Sequence, residues 1–279
     1  MSKALVNGVE IYYELDGSGE ETVVFLNGIM MSTVSWADSA SFYLNAGYRL
    51  LRLDFRDQGR SGRSPEDYGI EQHVEDLKGL FDLLGLKHVH LVGISYGGQV
   101  AMLFALKYGY LLQSLVLANT TARLTRHLRA IGSAWEEAAR LGDAGKFFRL
   151  AMPFIHSSSF YEARHHWINE REELFRRSLD KEWFEGFLRL IRSHGSSFDL
   201  LDRLKEIRVP TLVLGAERDV VTPLEELRML HERIEGSLFI VIPDAGHGSL
   251  YEKAREFHTA ILGFLSVLKT SQASMEMSG

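Results

Sequence analysis

The sequence predicts an α/β fold with a mostly parallel central sheet, helices on both faces and an all-helical insertion. Three observations support this prediction. Short apolar runs typical of buried strands alternate with segments of helical periodicity. One such run leads through a glycine-rich turn directly into an apolar helix, and residues 121–201 contain no convincing strand. Alternating strands and helices imply right-handed crossovers, so most strands are expected to be parallel.

The first half of the chain supplies most of the predicted sheet. Its predicted elements are strands at 9–15, 22–26, 48–54, 88–92 and 112–117 and helices at 70–84 and 99–108. The first strand alternates apolar and polar residues and is followed by Asp16-Gly17-Ser18-Gly19, which indicates an antiparallel strand and a hairpin loop. Gly85 marks the end of the first helix, because helices commonly end at a glycine.

The second half begins with a segment that interrupts the sheet. Residues 121–201 have the pattern of several amphipathic helices rich in large apolar side chains. These side chains are Trp135, Phe147, Phe148, Met152, Phe154, Phe160, Trp167, Phe175, Trp183, Phe184 and Phe187. The sheet is predicted to resume with strands at 211–214 and 237–242, and a helix at 254–268 closes the fold.

These elements suggest one interrupted core domain and one insertion. The core domain is expected to comprise residues 1–120 and 203–270, and a helical cap (lid) domain residues 121–202. Residues 271–279 are small and polar, which predicts a disordered C-terminal tail.

Composition and charge exclude several classes of protein. With 46% hydrophobic and 24% charged residues, the chain resembles an ordinary globular protein, and it has no apolar run long enough to span a membrane. It contains no cysteine, which excludes disulfides and thiolate chemistry. A net charge of -6 argues against nucleic acid as the main partner. The N-terminus lacks the apolar region of a signal peptide, so a cytoplasmic location is expected.

The segment Gly93-Ile94-Ser95-Tyr96-Gly97 joins the strand at 88–92 to the helix at 99–108. A turn this tight brings its two glycines close together and holds the serine in a left-handed conformation. The serine hydroxyl is then exposed at the carboxyl end of the strand, above a helix N-terminus. This is the pattern of a nucleophile elbow, and here the sequence resembles the α/β-hydrolase family. The resemblance implies the α/β-hydrolase fold for the whole chain.

The resemblance also implies a catalytic triad in the chain order serine, acid, histidine. Ser95 is the expected nucleophile, and Asp219 follows a strand and precedes a helix at the position of the family's acid. His247 lies in a glycine-flanked loop after the last strand, at the position of the family's histidine. Glu217 is the nearest rival acid, but it comes before the loop turns toward the site. The family's other acid position is Asn119, which carries no carboxylate.

The loop Asn27-Gly28-Ile29-Met30 stands where the family usually has His-Gly and an apolar residue. The resemblance implies that the backbone N–H groups of Ile29 and Tyr96 form an oxyanion hole. Asn27 departs from the usual histidine, and Asp57 replaces a glycine in the turn after the strand at 48–54. Because asparagine tolerates unusual backbone angles and can hydrogen-bond locally, the loop at 27–30 is expected to keep its shape.

The leading hypothesis is a carboxylesterase-like serine hydrolase that acts through an acyl-enzyme. His247 would take the proton of Ser95, and Asp219 would orient the imidazole. No metal and no organic cofactor are needed. The aromatic cap suggests a small-molecule acyl substrate with an apolar part enclosed between cap and sheet. Lactonases, carbon–carbon bond hydrolases and perhydrolases share the triad and remain alternatives.

A second hypothesis is acyl transfer. The loop at 27–30 with the following Ser32-Thr33-Val34-Ser35-Trp36 resembles the corresponding loop of the hydroxyacyl-dimer synthase type of acyltransferase. Arg123, Arg126 and Arg129 lie at helical spacing and could contact a phosphate-bearing acyl carrier, although a solvated helix face is the preferred explanation.

Two further readings carry less weight. A non-catalytic binding module on the same fold is disfavoured because all three triad positions are filled. His165 and His166 could suggest a metal, but adjacent side chains diverge on a helix and no further ligand lies at a suitable spacing, so no metal site is expected.

Overall fold

The computed structural model describes residues 2–195 and 197–276 and arranges eight strands of this part of the chain in one sheet. The strands are β1 (Ser2–Val6), β2 (Val9–Asp16), β3 (Thr22–Leu26), β4 (Arg49–Leu53), β5 (Val89–Ile94), β6 (Leu112–Ala118), β7 (Thr211–Ala216) and β8 (Leu238–Ile242). Their order across the sheet is β1-β2-β4-β3-β5-β6-β7-β8. The pairs β1–β2 and β2–β4 are antiparallel, and the other neighbours are parallel. The predicted mostly parallel sheet is therefore confirmed.

Helices connect the strands and cover both faces of the sheet. They are α1 (Ala40–Asn45), α2 (Glu71–Leu84), α3 (Tyr96–Tyr108), α4 (Arg126–Arg140), α5 (Ala144–Ile155), α6 (Ser158–Ala163), α7 (His165–Ser178), α8 (Lys181–Arg192), α9 (Leu224–Arg233), α10 (Ser249–Glu252) and α11 (Ala254–Glu276). Short 3-10 turns occupy Thr33–Ser39, Gly109–Leu111 and Leu201–Glu206. Among the described residues, none of the helices combines the length and the apolar character needed to cross a membrane.

The two faces of the sheet are buried under different helices, and the period of two along each strand divides the side chains between them. In β3, Val24 and Leu26 pack with apolar side chains of α2, α3 and α9. Val23 and Phe25 point to the opposite face and pack with α1 and α11. Every residue of β3 is buried, as expected for a central parallel strand.

Five helices, α4 to α8, fill the chain between β6 and β7, where the sequence predicts amphipathic helices. Four of them begin at a side chain that accepts a backbone N–H three residues further on. These capping residues are Thr125, Asp143, Ser157 and Asp180. Phe147 packs edge-on against Phe187 and Trp183, which stack on each other at 5.3 Å between ring centroids. The aromatic content of the segment thus builds a hydrophobic core of its own.

The N-terminal hairpin differs from the prediction. The alternation pattern does not predict strand β1, because four of its five side chains are exposed or half-buried. Backbone pairing with β2 at the edge of the sheet stabilises this strand instead. Asn7 and Gly8, with φ of 46° and 80°, form the hairpin turn between β1 and β2. The segment 16–19 is therefore not the predicted hairpin loop, because β2 pairs with β4 rather than with β3.

The C-terminus also differs from the prediction. Helix α11 continues to Glu276, so residues 271–276 of the predicted disordered tail are helical. This part of the sequence contains no glycine or proline that would end the helix, and polar residues alone do not interrupt helical backbone hydrogen bonds. The remaining tail residues, 277–279, lie outside the described residues.

A buried ion pair joins the helical segment to the sheet. Asp57 adopts φ of 67°, a left-handed conformation that aspartate tolerates, and its side chain is fully buried. Arg189 of α8 donates to both carboxylate oxygens, at 2.7 and 3.1 Å. A Cβ on Gly186, one turn earlier, would meet the Asp57 carbonyl oxygen at 2.7 Å, so only glycine lets α8 lie this close. Asp57, which stands where the family usually has a glycine, thus holds α8 against the turn after β4.

Replacing Arg189 by alanine is expected to lower the free energy of unfolding by about 3 kcal/mol, because a buried carboxylate would lose its partner. Denaturant unfolding followed by circular dichroism measures the change. Arg177→Ala is the matched control, since Arg177 pairs with Glu173 on an exposed helix face and should contribute little. Equal effects of the two substitutions would refute the docking role of Asp57.

Candidate active site

Ser95 sits at the sharp turn between β5 and α3 with φ of 53° and ψ of -118°. This is a strained conformation for a residue with a Cβ. A Cβ on Gly93 would collide with the carbonyl of Gly97, and one on Gly97 would collide with the carbonyl of Leu26. The two glycines are therefore required by contact with neighbouring backbone. The Ser95 carbonyl also accepts a hydrogen bond from the Thr120 hydroxyl at 2.7 Å, which fixes the turn from the β6 side.

The structure brings Ser95, Asp219 and His247 together at the carboxyl ends of the parallel strands. The Nε2 atom of His247 lies 2.9 Å from the Ser95 hydroxyl, and its Nδ1 atom lies 2.8 Å from Oδ2 of Asp219. Because the carboxylate can only accept, Nδ1 carries the proton and Nε2 is free to accept from the serine. The imidazole is thus held in the tautomer suited to receive the hydroxyl proton.

Asp219 is buried but accepts hydrogen bonds on both oxygens. The backbone N–H groups of Val221 and Thr222 donate to Oδ1, while the Thr222 hydroxyl and the Asn119 amide donate to Oδ2. Burial raises the pKa of Asp219, but the charge and hydrogen bond of His247 and the bonds from Asn119 and Thr222 outweigh burial and lower that pKa. The carboxylate therefore stays ionised next to the imidazole.

Asn119 and Thr222 donate hydrogen bonds to Asp219, and sequence reasoning did not assign them to the site. Asn119 has φ of 44°, and its side-chain oxygen accepts from the Ser249 hydroxyl at 2.7 Å, so its amide nitrogen faces Asp219. Asn119, at the family's alternative acid position, thus donates a hydrogen bond to Asp219, which is at the usual acid position. Glu217 is exposed and accepts from the backbone N–H of Asp244, away from the imidazole.

Glu252 ties the loop of His247 to the junction between α5 and α6. Its carboxylate accepts from the backbone N–H of Gly246, from the backbone N–H and hydroxyl of Ser157, and pairs with Nδ1 of His156 at 3.2 Å. Beside it, the backbone N–H of Gly248 donates to the Ile155 carbonyl at 2.7 Å. The residues on both sides of His247 are therefore fastened to the helical segment.

The loop after β3 lies against the nucleophile. A Cβ built on Gly28 would be 3.6 Å from the Cβ of Ser95. Among the described residues, the backbone N–H groups of Ile29 and Tyr96 donate to no other protein group. The buried side chain of Asn27 faces away from the site and bonds to Trp36, Gln58 and the Leu53 carbonyl.

A cavity of about 390 Å³ opens beside Ser95 between the sheet and helices α4 and α8. Its apolar lining comes from Ile29, Leu124, Leu128, Trp135, Ile191 and Val221. Gln99 and His194 add a polar patch, with Nε2 of His194 2.6 Å from the Gln99 side-chain oxygen. Burial lowers the pKa of His194 to about 4, so this ring is neutral at neutral pH. The cavity thus combines apolar side chains with the uncharged pair Gln99 and His194 and with the charged side chains of Arg129, Glu136 and Arg192.

The three arginines considered for carrier binding do not share one helix face. Arg123 precedes α4 and forms a two-pronged pair with Glu226, at 2.8 and 3.1 Å. Arg126 and Arg129 lie on α4 and are exposed. In the described part of the chain, no group of three or more His, Asp or Glu side chains is arranged to hold a metal ion.

Comparison with known proteins points to one family. A family model described as the alpha/beta hydrolase fold matches residues 21–254. The 2-hydroxy-6-oxononadienedioate/2-hydroxy-6-oxononatrienedioate hydrolase of Paraburkholderia phymatum is 27% identical over 275 residues, covering 92% of this chain and 91% of the relative.

Two solved structures extend the likeness to three dimensions. MGS-M2, an alpha/beta hydrolase enzyme from a Medee basin deep-sea metagenome library, has a TM-score of 0.90 at 35% identity and covers 95% of this chain and 97% of its own. A thermophilic esterase from Thermogutta terrifontis has a TM-score of 0.83 at 28% identity, with 96% and 98% of the two chains covered.

Glu252→Gln is expected to destabilise the protein and to flatten its acid sensitivity. Burial raises the pKa of Glu252, but the bonds from His156, Ser157 and Gly246 outweigh burial and leave that pKa below the ordinary value. The unfolded chain therefore binds the proton more tightly, and the stabilisation is complete above about pH 4.5 and lost as pH falls through the folded pKa. Melting temperatures at several pH values test this.

The difference in melting temperature between wild type and Glu252→Gln should shrink below about pH 4.5. Glu217→Gln is the matched control, because Glu217 is exposed and its replacement should leave the acid dependence unchanged. A constant difference across the whole pH range would contradict the role given to the Glu252 carboxylate.

Proposed function

Because the chain belongs to the α/β-hydrolase family, we propose that it is a serine hydrolase that cleaves a carboxylic ester or a related acyl bond through an acyl-enzyme. The single observation that carries this proposal is the continuous contact from the Ser95 hydroxyl through both ring nitrogens of His247 to Asp219. In this assignment Ser95 is the nucleophile, His247 the general base and Asp219 the orienting acid.

The proposed reaction begins when the Ser95 oxygen attacks the carbonyl carbon and its proton passes to Nε2 of His247. The ionised Asp219 stabilises the imidazolium that forms. His247 then gives the proton to the leaving alcohol as the carbon–oxygen bond breaks, which leaves an ester on Ser95. A water molecule activated by His247 attacks this ester, and the carboxylic acid departs with the enzyme restored.

The negative charge on the substrate oxygen requires stabilisation at each tetrahedral step. We assign this role to the backbone N–H groups of Ile29 and Tyr96, which border the nucleophile from two loops. Tyr96 is the first residue of α3, so the positive end of the helix also faces this oxygen. Removing one such donor typically slows turnover by about 100- to 1,000-fold.

The substrate is proposed to place an apolar acyl part in the cavity between the sheet and the helical segment. The apolar side chains in the lining and the volume of about 390 Å³ support a medium-length or aromatic group. We also propose that residues 1–120 and 203–270 form the core domain and 121–202 the cap. The cluster of buried aromatic and aliphatic side chains built mainly from α4 to α8, which also includes Val221, supports this division.

Hydrolysis of a lactone or of a carbon–carbon bond is a second candidate. The observation in its favour is the polar patch of Gln99 and His194 beside the apolar side chains of the cavity, which suits a substrate with a second oxygen-bearing group. One relative is named as a hydrolase of an oxo-dioate, in line with such a substrate.

Acyl transfer to an alcohol is a weaker candidate. It was suggested by the loop sequence from Asn27 to Trp36 and by the arginines at 123, 126 and 129. Since Arg123 is engaged with Glu226, a three-arginine contact with an acyl carrier has no structural support.

Ser95→Ala should lower turnover of a p-nitrophenyl ester by about 10⁵- to 10⁶-fold while the melting temperature changes little. The loss follows from removing the oxygen that is proposed to attack the substrate carbonyl and to carry the acyl group. A fluorophosphonate probe should label wild type and leave Ser95→Ala unlabelled. Ser178→Ala, an exposed serine at the end of α7, serves as control and should behave as wild type. Near-normal turnover by Ser95→Ala would defeat the proposed function.

A panel of acyl esters from acetyl to long-chain, with and without an added alcohol, tests the substrate and the reaction. Rates should peak at intermediate chain length because the cavity is apolar but limited in volume. The yield of free acid, measured by titration, should equal the ester consumed and should not fall when the alcohol is added. Equal rates across the panel would reject the apolar subsite, and new ester formed from the alcohol would favour transfer.

A further inference from the structure

The peptide between Gly28 and Ile29 is held from behind by a buried glutamine. The Nε2 group of Gln58 donates to the Gly28 carbonyl at 2.9 Å and to the Ile29 carbonyl at 3.2 Å. Gln58 is only 2% exposed. The backbone N–H of Met31 also donates to the Gly28 carbonyl, at 3.0 Å. The carbonyls on both sides of Ile29 therefore face Gln58.

The direction of each amide in this network is determined by a single indole. Trp36 Nε1 can only donate, and it donates to the side-chain oxygen of Asn27 at 2.8 Å. The amide nitrogen of Asn27 must then face the Leu53 carbonyl, at 2.8 Å, and the side-chain oxygen of Gln58, at 3.2 Å. This leaves the amide nitrogen of Gln58 toward the two carbonyls. Oδ1 of Asp54, 3.5 Å from the amide nitrogen of Asn27, is a further acceptor that agrees with this order of donors and acceptors.

Peptide geometry transmits this arrangement to the active site. In a planar trans peptide the C=O and N–H bonds point in opposite directions. With the Gly28 carbonyl fixed on Gln58, the Ile29 N–H points away from Gln58, and the loop itself lies against Ser95. A hydrogen bond to the carbonyl also polarises the peptide and strengthens its N–H as a donor.

We propose that Gln58, oriented by Asn27 and Trp36, is a positioning residue for the oxyanion-binding N–H of Ile29. This inference rests on the proposed function. Gln58 contacts no reacting atom and acts through the peptide that it holds. Asn27 stands where the family usually has a histidine, and Gln58 is the partner that completes its hydrogen bonds.

Two substitutions at position 58 test the proposal. Gln58→Leu has similar volume and no donor, while Gln58→Glu keeps the shape and the acceptor for Asn27 but, when ionised, donates to neither carbonyl. Both should lower kcat by about 10- to 100-fold, part of the loss seen when an oxyanion donor is removed. KM should change far less. Affinity for a trifluoromethyl ketone, which forms a tetrahedral oxyanion, should fall by the same factor as kcat/KM.

Ser61→Ala is the matched control. Ser61 lies in the same turn and is buried, with its hydroxyl donating to the Asp54 carbonyl at 2.6 Å and accepting from the Tyr12 N–H at 2.8 Å. Within the described part of the chain, Ser61 forms no hydrogen bond with Gly28 or Ile29. Its substitution should lower the melting temperature and leave kcat unchanged. In infrared spectra, the acyl-enzyme carbonyl stretch should move to higher frequency in the Gln58 variants but not in Ser61→Ala.

The outcomes separate this proposal from the proposed function. Near-normal kcat in both Gln58 variants would overturn the positioning role, and so would an equal loss of kcat in Ser61→Ala. Failure of both variants to fold would also overturn it, because Gln58 would then be required for folding instead. Full activity of Ser95→Ala would remove the serine mechanism itself, which the Gln58 results alone cannot do.

Discussion

The hydrogen bond between Asp219 and His247 is the interaction on which the rest of the site depends. It joins the loop after β7 to the loop after β8, and it fixes the ring so that Nε2 faces Ser95 at the end of β5. In the parallel part of the sheet the order includes β5-β6-β7-β8, so β7 and β8 are adjacent and only β6 separates them from β5. The parallel arrangement therefore brings together three side chains that are more than a hundred residues apart at the extremes.

Two buried carboxylates position the imidazole of His247 in different ways. Asp219 bonds to the ring itself, whereas Glu252 accepts from the backbone N–H of Gly246, directly before the histidine, and from Ser157 of the helical segment. The ring orientation and the path of its loop are thus fixed separately. Because Glu252 is shared with Ser157, the same carboxylate also couples the histidine loop to the placement of the helices above the cavity.

Local sequence signals predict the parts of this fold that local chemistry determines. The glycines around Ser95, the apolar runs of the central strands and Gly85 at a helix end each require a particular backbone, so their bounds were close to those observed. The edge strand β1 was missed because backbone pairing, not apolar alternation, holds it. The contacts of Gln58 were missed because they join residues about thirty positions apart through side-chain amides, which leave no periodic pattern.

The two departures from the family pattern have the same physical explanation. Asp57 replaces a glycine and introduces a buried charge, and Arg189 of α8 neutralises it. Asn27 replaces a histidine and introduces a buried amide, and Trp36 and Gln58 satisfy it. A buried polar group without a partner costs about 1 to 3 kcal/mol, so each residue would destabilise the fold without its partners. Asp57 and Arg189 therefore act together to place the helical segment beside the nucleophile. Asn27, Trp36 and Gln58 act together to place the loop after β3.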